Sequence, residues 1–166
     1  MEAFVELLRV GGASLVVDIR TVRRSRRNPQ YDGDALPASL QPFAIGYRAI
    51  PELGGLRRRS TDTPSSINAF WTNESFHNYA DHALTEAFRA GLEILIEAGK
   101  RERCAIMCAE AVWWRCHRRI VADHLILRGE KVFHPMDKDG IEEAVMTPGA
   151  KALGPGLLHY PRASGT

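Results

Sequence analysis

The residues with the most chemistry per unit length lie between positions 108 and 118. Cys108-Ala109-Glu110, then Trp114-Arg115-Cys116-His117-Arg118, supply two thiols, a carboxylate, an imidazole and two guanidinium groups. A thiolate is a nucleophile, an imidazole carries protons near neutral pH, and a carboxylate serves as general acid or base. Arginine forks match the oxygens of phosphate or carboxylate in pairs. The segment leaves a short apolar run, Cys104 to Cys108, and enters a helical pattern from Arg115 to Arg128. Backbone N–H groups and the dipole at a helix start favour an anion and ease ionisation of a nearby thiol. Cys108, Glu110, Cys116 and His117 are therefore the candidate catalytic residues, with Arg115 and Arg118 as anion-binding residues.

Several chemistries can be tested against this spacing. A cysteine phosphatase needs Cys and Arg five residues apart on a glycine-rich loop, whereas six residues separate Cys108 from Arg115 and no glycine intervenes. Cys108, Glu110, Cys116 and His117 are suitable zinc ligand types, but their spacing matches no closed structural pattern. On a helix, successive side chains diverge by roughly 100°, which strains a shared ion between adjacent Cys116 and His117. No metal site is expected. The glycine pairs at 11–12 and 54–55 stand outside any dinucleotide or P-loop fingerprint. Three cysteines, an odd number, predict free thiols rather than a disulfide framework.

The elements that must position these groups follow from periodicity. Residues 2–10 carry apolar side chains at helical spacing and stop at Gly11-Gly12. Ser14 to Ile19 is a short β-branched run suited to a strand buried on both faces. A helix is predicted over Asp34–Phe43, a strand over Ile45–Ile50, and a polar surface loop over 56–68. Ser75 to Ala98 reads as one long helix or two abutting at Leu84-Thr85. A strand over Cys104–Cys108, the helix over Arg115–Arg128 and a last strand over Lys131–His134 complete the core. On that helix His117, Ile120, Val121, His124 and Leu125 share one face, so His117 is expected to point inward. The 166 residues suit one domain, with a core of about 2–135 and a packed tail over 136–166. The alternating order predicts an α/β fold: a single three-layer domain whose mostly parallel sheet has about four to five strands and helices on both faces. Ligands in such sheets gather outside the carboxyl ends of the strands. That rule adds Asp18, Arg20 and Glu52 to the binding candidates.

Charge refines the choice of partner. The chain has 22 basic and 20 acidic residues, yet Arg20, Arg23, Arg24, Arg26 and Arg27 crowd one loop and Arg57, Arg58 and Arg59 another. A net charge of +2 argues against a general polyanion surface and for a local anion site. Arg26 and Asn28 join the binding set on this ground. The alternative is a nucleic-acid or nucleotide binding module using the Arg20–Arg27 loop, with Trp71, Trp113 or Trp114 as stacking platforms. No apolar run is long enough for a membrane span and no signal peptide precedes the first helix, so a cytoplasmic protein without a membrane partner is expected. No residue pattern specifies a cofactor or an oligomeric state.

Four blocks in order resemble a known family. They are Leu15-Val16-Val17-Asp18-Ile19-Arg20, Ser25-Arg26-Arg27-Asn28-Pro29-Gln30-Tyr31, Pro51-Glu52-Leu53-Gly54-Gly55, and Cys108-Ala109-Glu110 with Trp114-Arg115-Cys116-His117-Arg118. Together they resemble the bacterial domain-of-unknown-function family 488, from the first helix to Tyr160-Pro161. The resemblance implies a single α/β domain, of no assigned biochemical role, in which the blocks meet at one site. Members of that family begin with a short strand and a Gly-His-Ser turn; this chain begins in the following helix, so either its start is truncated or that strand and loop are missing from its site. The leading functional expectation is a small-molecule enzyme that binds an anionic, phosphate- or carboxylate-bearing substrate at the strand ends. A non-catalytic ligand sensor is the further alternative.

Overall fold

The structure, a computed structural model, describes residues 1–137 and 140–164. Five α-helices, α1 (Glu2–Val10), α2 (Leu36–Leu40), α3 (Glu74–His82), α4 (Glu86–Arg101) and α5 (Arg118–Leu127), accompany β1 (Leu15–Asp18), β2 (Gly46–Ala49) and β3 (Cys104–Met107). The three strands form one parallel sheet in the order β2-β1-β3. Leu15 of β1 stands opposite Gly46 and Cys104, and Asp18 opposite Ala49 and Met107. All three carboxyl ends therefore open on the same edge.

Two corrections to the sequence expectation concern the sheet. It has three strands rather than four to five. The run expected as a last strand, Lys131–His134, lies at the start of β4 (Phe133–Asp137), which pairs antiparallel with β5 (Gly140–Glu143) in a separate hairpin. A second hairpin joins β6 (Lys151–Gly154) to β7 (Leu157–His159). A short apolar run shows that a strand forms but not which edge it pairs with, and here the nearest partner is its own continuation.

Period-two alternation divides the core. Val16 packs with Val5 and Leu8 of α1 and Leu36 and Leu40 of α2. Leu15, Val17 and Ile19 meet Tyr79, Phe88, Leu92, Ile120, Val121 and Leu125 from α3, α4 and α5. The long helical pattern after Ser75 is broken because Thr85 caps α4, its side chain accepting the Phe88 N–H, as Asn73 does from Phe76 for α3. Gly12, at φ +66°, turns the chain from α1 into β1 in the left-handed region that glycine enters without a Cβ clash.

Thr147 and Tyr160 are pinned to the core by buried polar bonds. The fully buried Tyr160 donates its hydroxyl to Asp123 Oδ2 at 2.8 Å, and its backbone N–H to Asn68 Oδ1 at 2.9 Å. Thr147 N–H donates to Asp123 Oδ1 at 2.8 Å. Burial still pushes the Asp123 carboxyl above its ordinary range, against these three-way bonds from Thr147 and Tyr160.

At the end of β1, Asp18 is fully buried and takes both Nε (2.9 Å) and Nη2 (2.7 Å) of Arg20, plus the Tyr47 hydroxyl at 2.5 Å. Arg20 Nη2 also donates to the Tyr31 carbonyl at 2.7 Å, tying the arginine-rich loop back to the sheet. Burial by itself would raise the Asp18 pKa, but the bonds from Arg20 and Tyr47 outweigh it and hold the carboxyl below its ordinary value. Burial, with Asp18 alongside, pushes Tyr47 up to about 12. A carboxyl with a depressed folded pKa stabilises the fold above its unfolded value and loses that contribution as pH falls through the folded one. Asp18→Asn is therefore expected to cost about 3 kcal/mol in urea denaturation at neutral pH, because Arg20 is left buried without its charge partner. The gap between wild type and variant should narrow below about pH 4, and a gap of constant size would show that the pair is not ionised in the fold.

Candidate functional site

Cys108 follows β3 directly, Ile19 follows β1, and the turn Pro51–Gly55 follows β2, so three strand ends deliver three of the sequence blocks to one place. The fourth component is the start of α5. The chain makes a 3-10 turn at Trp113–Arg115, Cys116 is extended (φ −125°, ψ 152°), and His117 is the N-cap of α5. The helix expected from Arg115 therefore begins three residues later. This corrects the objection drawn from helix spacing: Cys116 and His117 precede the helix, so the 100° divergence does not apply to them.

Both thiols converge on one imidazole nitrogen. Cys116 Sγ lies 3.6 Å and Cys108 Sγ 3.8 Å from His117 Nδ1. On the opposite side of the ring, Nε2 is 3.0 Å from the Ile19 carbonyl oxygen. A carbonyl can only accept, so Nε2 carries the proton and Nδ1 presents its lone pair to the two sulfurs. Cys116 Sγ also receives the Arg118 backbone N–H at 3.4 Å. Arg118 Nε donates to Cys116 Sγ at 3.4 Å and its Nη2 to the Glu110 carbonyl. The bond from Cys116 overrides burial and holds the Cys108 thiol below the usual cysteine range. The same bond, with burial, pushes Cys116 up. Among the described residues Cys108, Cys116 and His117 are the group able to hold a metal ion, their ligand atoms all within 4.8 Å of one another.

The neighbours of the cluster were only partly visible in sequence. The Tyr79 ring lies 4.8 Å from the His117 ring, and its hydroxyl donates to the Leu53 carbonyl at 2.7 Å. A Cβ on Gly55 would stand 2.9 Å from His117 Nδ1, and one on Gly54 would stand 2.5 Å from Thr21 Oγ1. Thr21 donates its hydroxyl to the Gly55 carbonyl. The Gly54-Gly55 pair is therefore the seat of the imidazole, and the adjacency of two glycines after a strand was the signal for it.

The remaining sequence candidates fall outside this cluster or at its rim. Glu110 is exposed, and its carboxylate accepts the Val112 N–H at 3.2 Å. Arg115 is exposed on the 3-10 turn. Asp18 and Arg20 are bound to each other below the surface. Arg26 and Asn28 are exposed on their loop, the Asn28 N–H donating to Ser25 Oγ at 3.1 Å. Glu52 is half-buried and its carbonyl accepts from His82 Nε2 at 2.7 Å. Trp113 stacks on His134 with ring centres 3.8 Å apart, and Trp114 meets Trp113 edge-on. His124 is a core residue against Phe88, lowered to about 4 by burial.

Fold and site together define an α/β protein with a strand-end cluster of two cysteines and a histidine. The family model described as "Domain of unknown function DUF488" matches residues 1–125 of the 166, and the chain belongs to that family. The match stops within α5, short of the Tyr160-Pro161 reached by the sequence resemblance. No curated protein and no solved structure matches the chain significantly.

Gly55 tests the seating of the ring. Gly55→Ala is expected to lower stability by about 1–3 kcal/mol in urea, the usual cost of overpacking. Gly99→Ala, exposed on α4 with nothing within 4 Å of its Cβ, should raise it by about 0.5–1 kcal/mol. Equal effects at the two positions would contradict the contact between Gly55 and His117.

Proposed function

We propose that this chain is an enzyme for a small anionic substrate, with Cys108, Cys116 and His117 as its reactive centre. The observation that carries this is the convergence of two thiols on His117 Nδ1 at the carboxyl edge of the sheet, where parallel α/β sheets collect ligands. Glu110, exposed at the mouth, is the general acid or base. Arg115, Arg118 and the first N–H groups of α5 supply the positive potential that draws a phosphate or carboxylate to the centre. Arg118 also positions the cluster, because it holds Cys116 Sγ and the Glu110 carbonyl.

An enzyme fits these residues better than a nucleic-acid module. Arg20 is buried on Asp18, Arg24 pairs with Asp34 at 3.1 Å, and Arg57 bonds the Gly54 carbonyl at 2.9 Å, so three of the eight clustered arginines are engaged within the chain. Three free cysteines suit the reducing conditions of a cytoplasmic setting. Among the described residues no helix is long and apolar enough to cross a membrane.

Binding of inorganic phosphate and acetate, followed by NMR on the side chains of Arg115 and His117, tests the proposal. Saturable shifts are expected in the wild type, and Arg115→Gln should weaken the dissociation constant about tenfold, or about 1.4 kcal/mol. With p-nitrophenyl esters of phosphate and of carboxylic acids as turnover probes, Glu110→Gln should lower the rate by about 10²-fold or more. No saturable shift and no turnover, or values unchanged in both variants, would overturn it.

A further inference from the structure

Building on the reactive centre proposed above, we infer that Cys108, Cys116 and His117 bind a zinc-class divalent cation and leave one coordination position open. A tetrahedral ion with sulfur at ~2.3 Å and nitrogen at ~2.05 Å sets sulfur-to-nitrogen edges of ~3.6 Å. The two observed edges are 3.6 and 3.8 Å. An imidazole nitrogen has one lone pair and cannot accept well from two thiols at once. A single ion between the three atoms satisfies all of them.

The surroundings are those a ligand set requires. His117 is held by its other nitrogen on the Ile19 carbonyl, which fixes the tautomer and aims Nδ1 at the sulfurs. Cys116 Sγ accepts the Arg118 backbone N–H and a further N–H from the Arg118 side chain, contacts that support a thiolate bound to metal. The three ligands come from two segments, the end of β3 and the start of α5, so the ion clasps them together at the sheet edge. Binding takes both sulfurs as thiolates, any proton they still carry passing to solvent, and involves no change of oxidation state. Two sulfurs and one nitrogen select zinc-class ions over magnesium or calcium, which take oxygen ligands. Three protein ligands with a fourth position free are the pattern of a catalytic rather than a closed structural site. An oxygen of the anionic substrate, or a water, is the chemistry suited to that position.

The test uses the full chain with cobalt(II) and zinc(II) as probes. After chelation, cobalt(II) should bind at one equivalent and give the intense visible bands of a tetrahedral site with sulfur-to-metal charge transfer in the near ultraviolet, and zinc(II) should displace it. Cys108→Ser, Cys116→Ser and His117→Ala should each weaken the metal at least about 100-fold. Cys104→Ser, whose thiol donates to the Glu102 carbonyl outside the cluster, should bind as the wild type does. Circular dichroism of each variant separates loss of the site from loss of the fold, and the wild-type spectrum stands whatever the variants do. A weak octahedral cobalt spectrum in the wild type, or a tetrahedral one that survives in Cys108→Ser, would overturn the inference. Metal binding without any anion binding would sink the proposed enzyme and leave the metal site standing; anion binding without metal would do the reverse.

Discussion

The hydrogen bond between His117 Nε2 and the Ile19 carbonyl joins the N-cap of α5 to the carboxyl end of the central strand. Everything reactive in the molecule is placed by it. It assigns the ring proton to Nε2, turns the free lone pair of Nδ1 toward Cys108 and Cys116, and keeps α5 against the edge where the three parallel strands end. Ile19 itself is fully buried, so its carbonyl has no water to replace the imidazole, and an unpaired buried carbonyl would cost about 1–3 kcal/mol. The demand for a partner at that position is thus built into the sheet.

Around this bond, the other strand ends divide structural from reactive work. Asp18 and Arg20 close on each other beneath the surface and draw the arginine-rich loop back through Tyr31. Gly54 and Gly55 let the loop after β2 approach closely enough for Thr21 and His117 to rest on it. Tyr79 packs against the imidazole from the core while anchored to the Leu53 carbonyl. The result is a cluster open at its rim, where Glu110, Arg115 and Trp114 are exposed, and rigid at its base.

Much of this was legible in the residues. The apolar runs placed all three parallel strands and the break near Thr85, and the strand-end rule selected Cys108 and Glu110, with Cys116 and His117 marked by the turn that leads into the next helix. The rest turned on interactions that a one-dimensional pattern does not carry. Arg20 looks like an anion ligand until its fork is seen on Asp18, a pairing set by the way the chain curls after β1. The helical periodicity around Arg115 is real, but Cys116 departs into an extended conformation for a single residue, and that local change converts two diverging side chains into a convergent pair. The hairpin of Phe133–Asp137 with Gly140–Glu143 reflects a choice of partner that depends on neighbours in space.

The convergence of the two thiols depends on the state of one imidazole. Long-range proton–nitrogen NMR of uniformly nitrogen-labelled protein, with His117→Gln to assign its signals, reads the tautomer directly. The prediction is a single slowly exchanging species protonated at Nε2, with Nδ1 unprotonated and shifted further when zinc(II) is added. A ring whose only proton sits on Nδ1, or fast averaging between the two tautomers, would contradict the tether to Ile19.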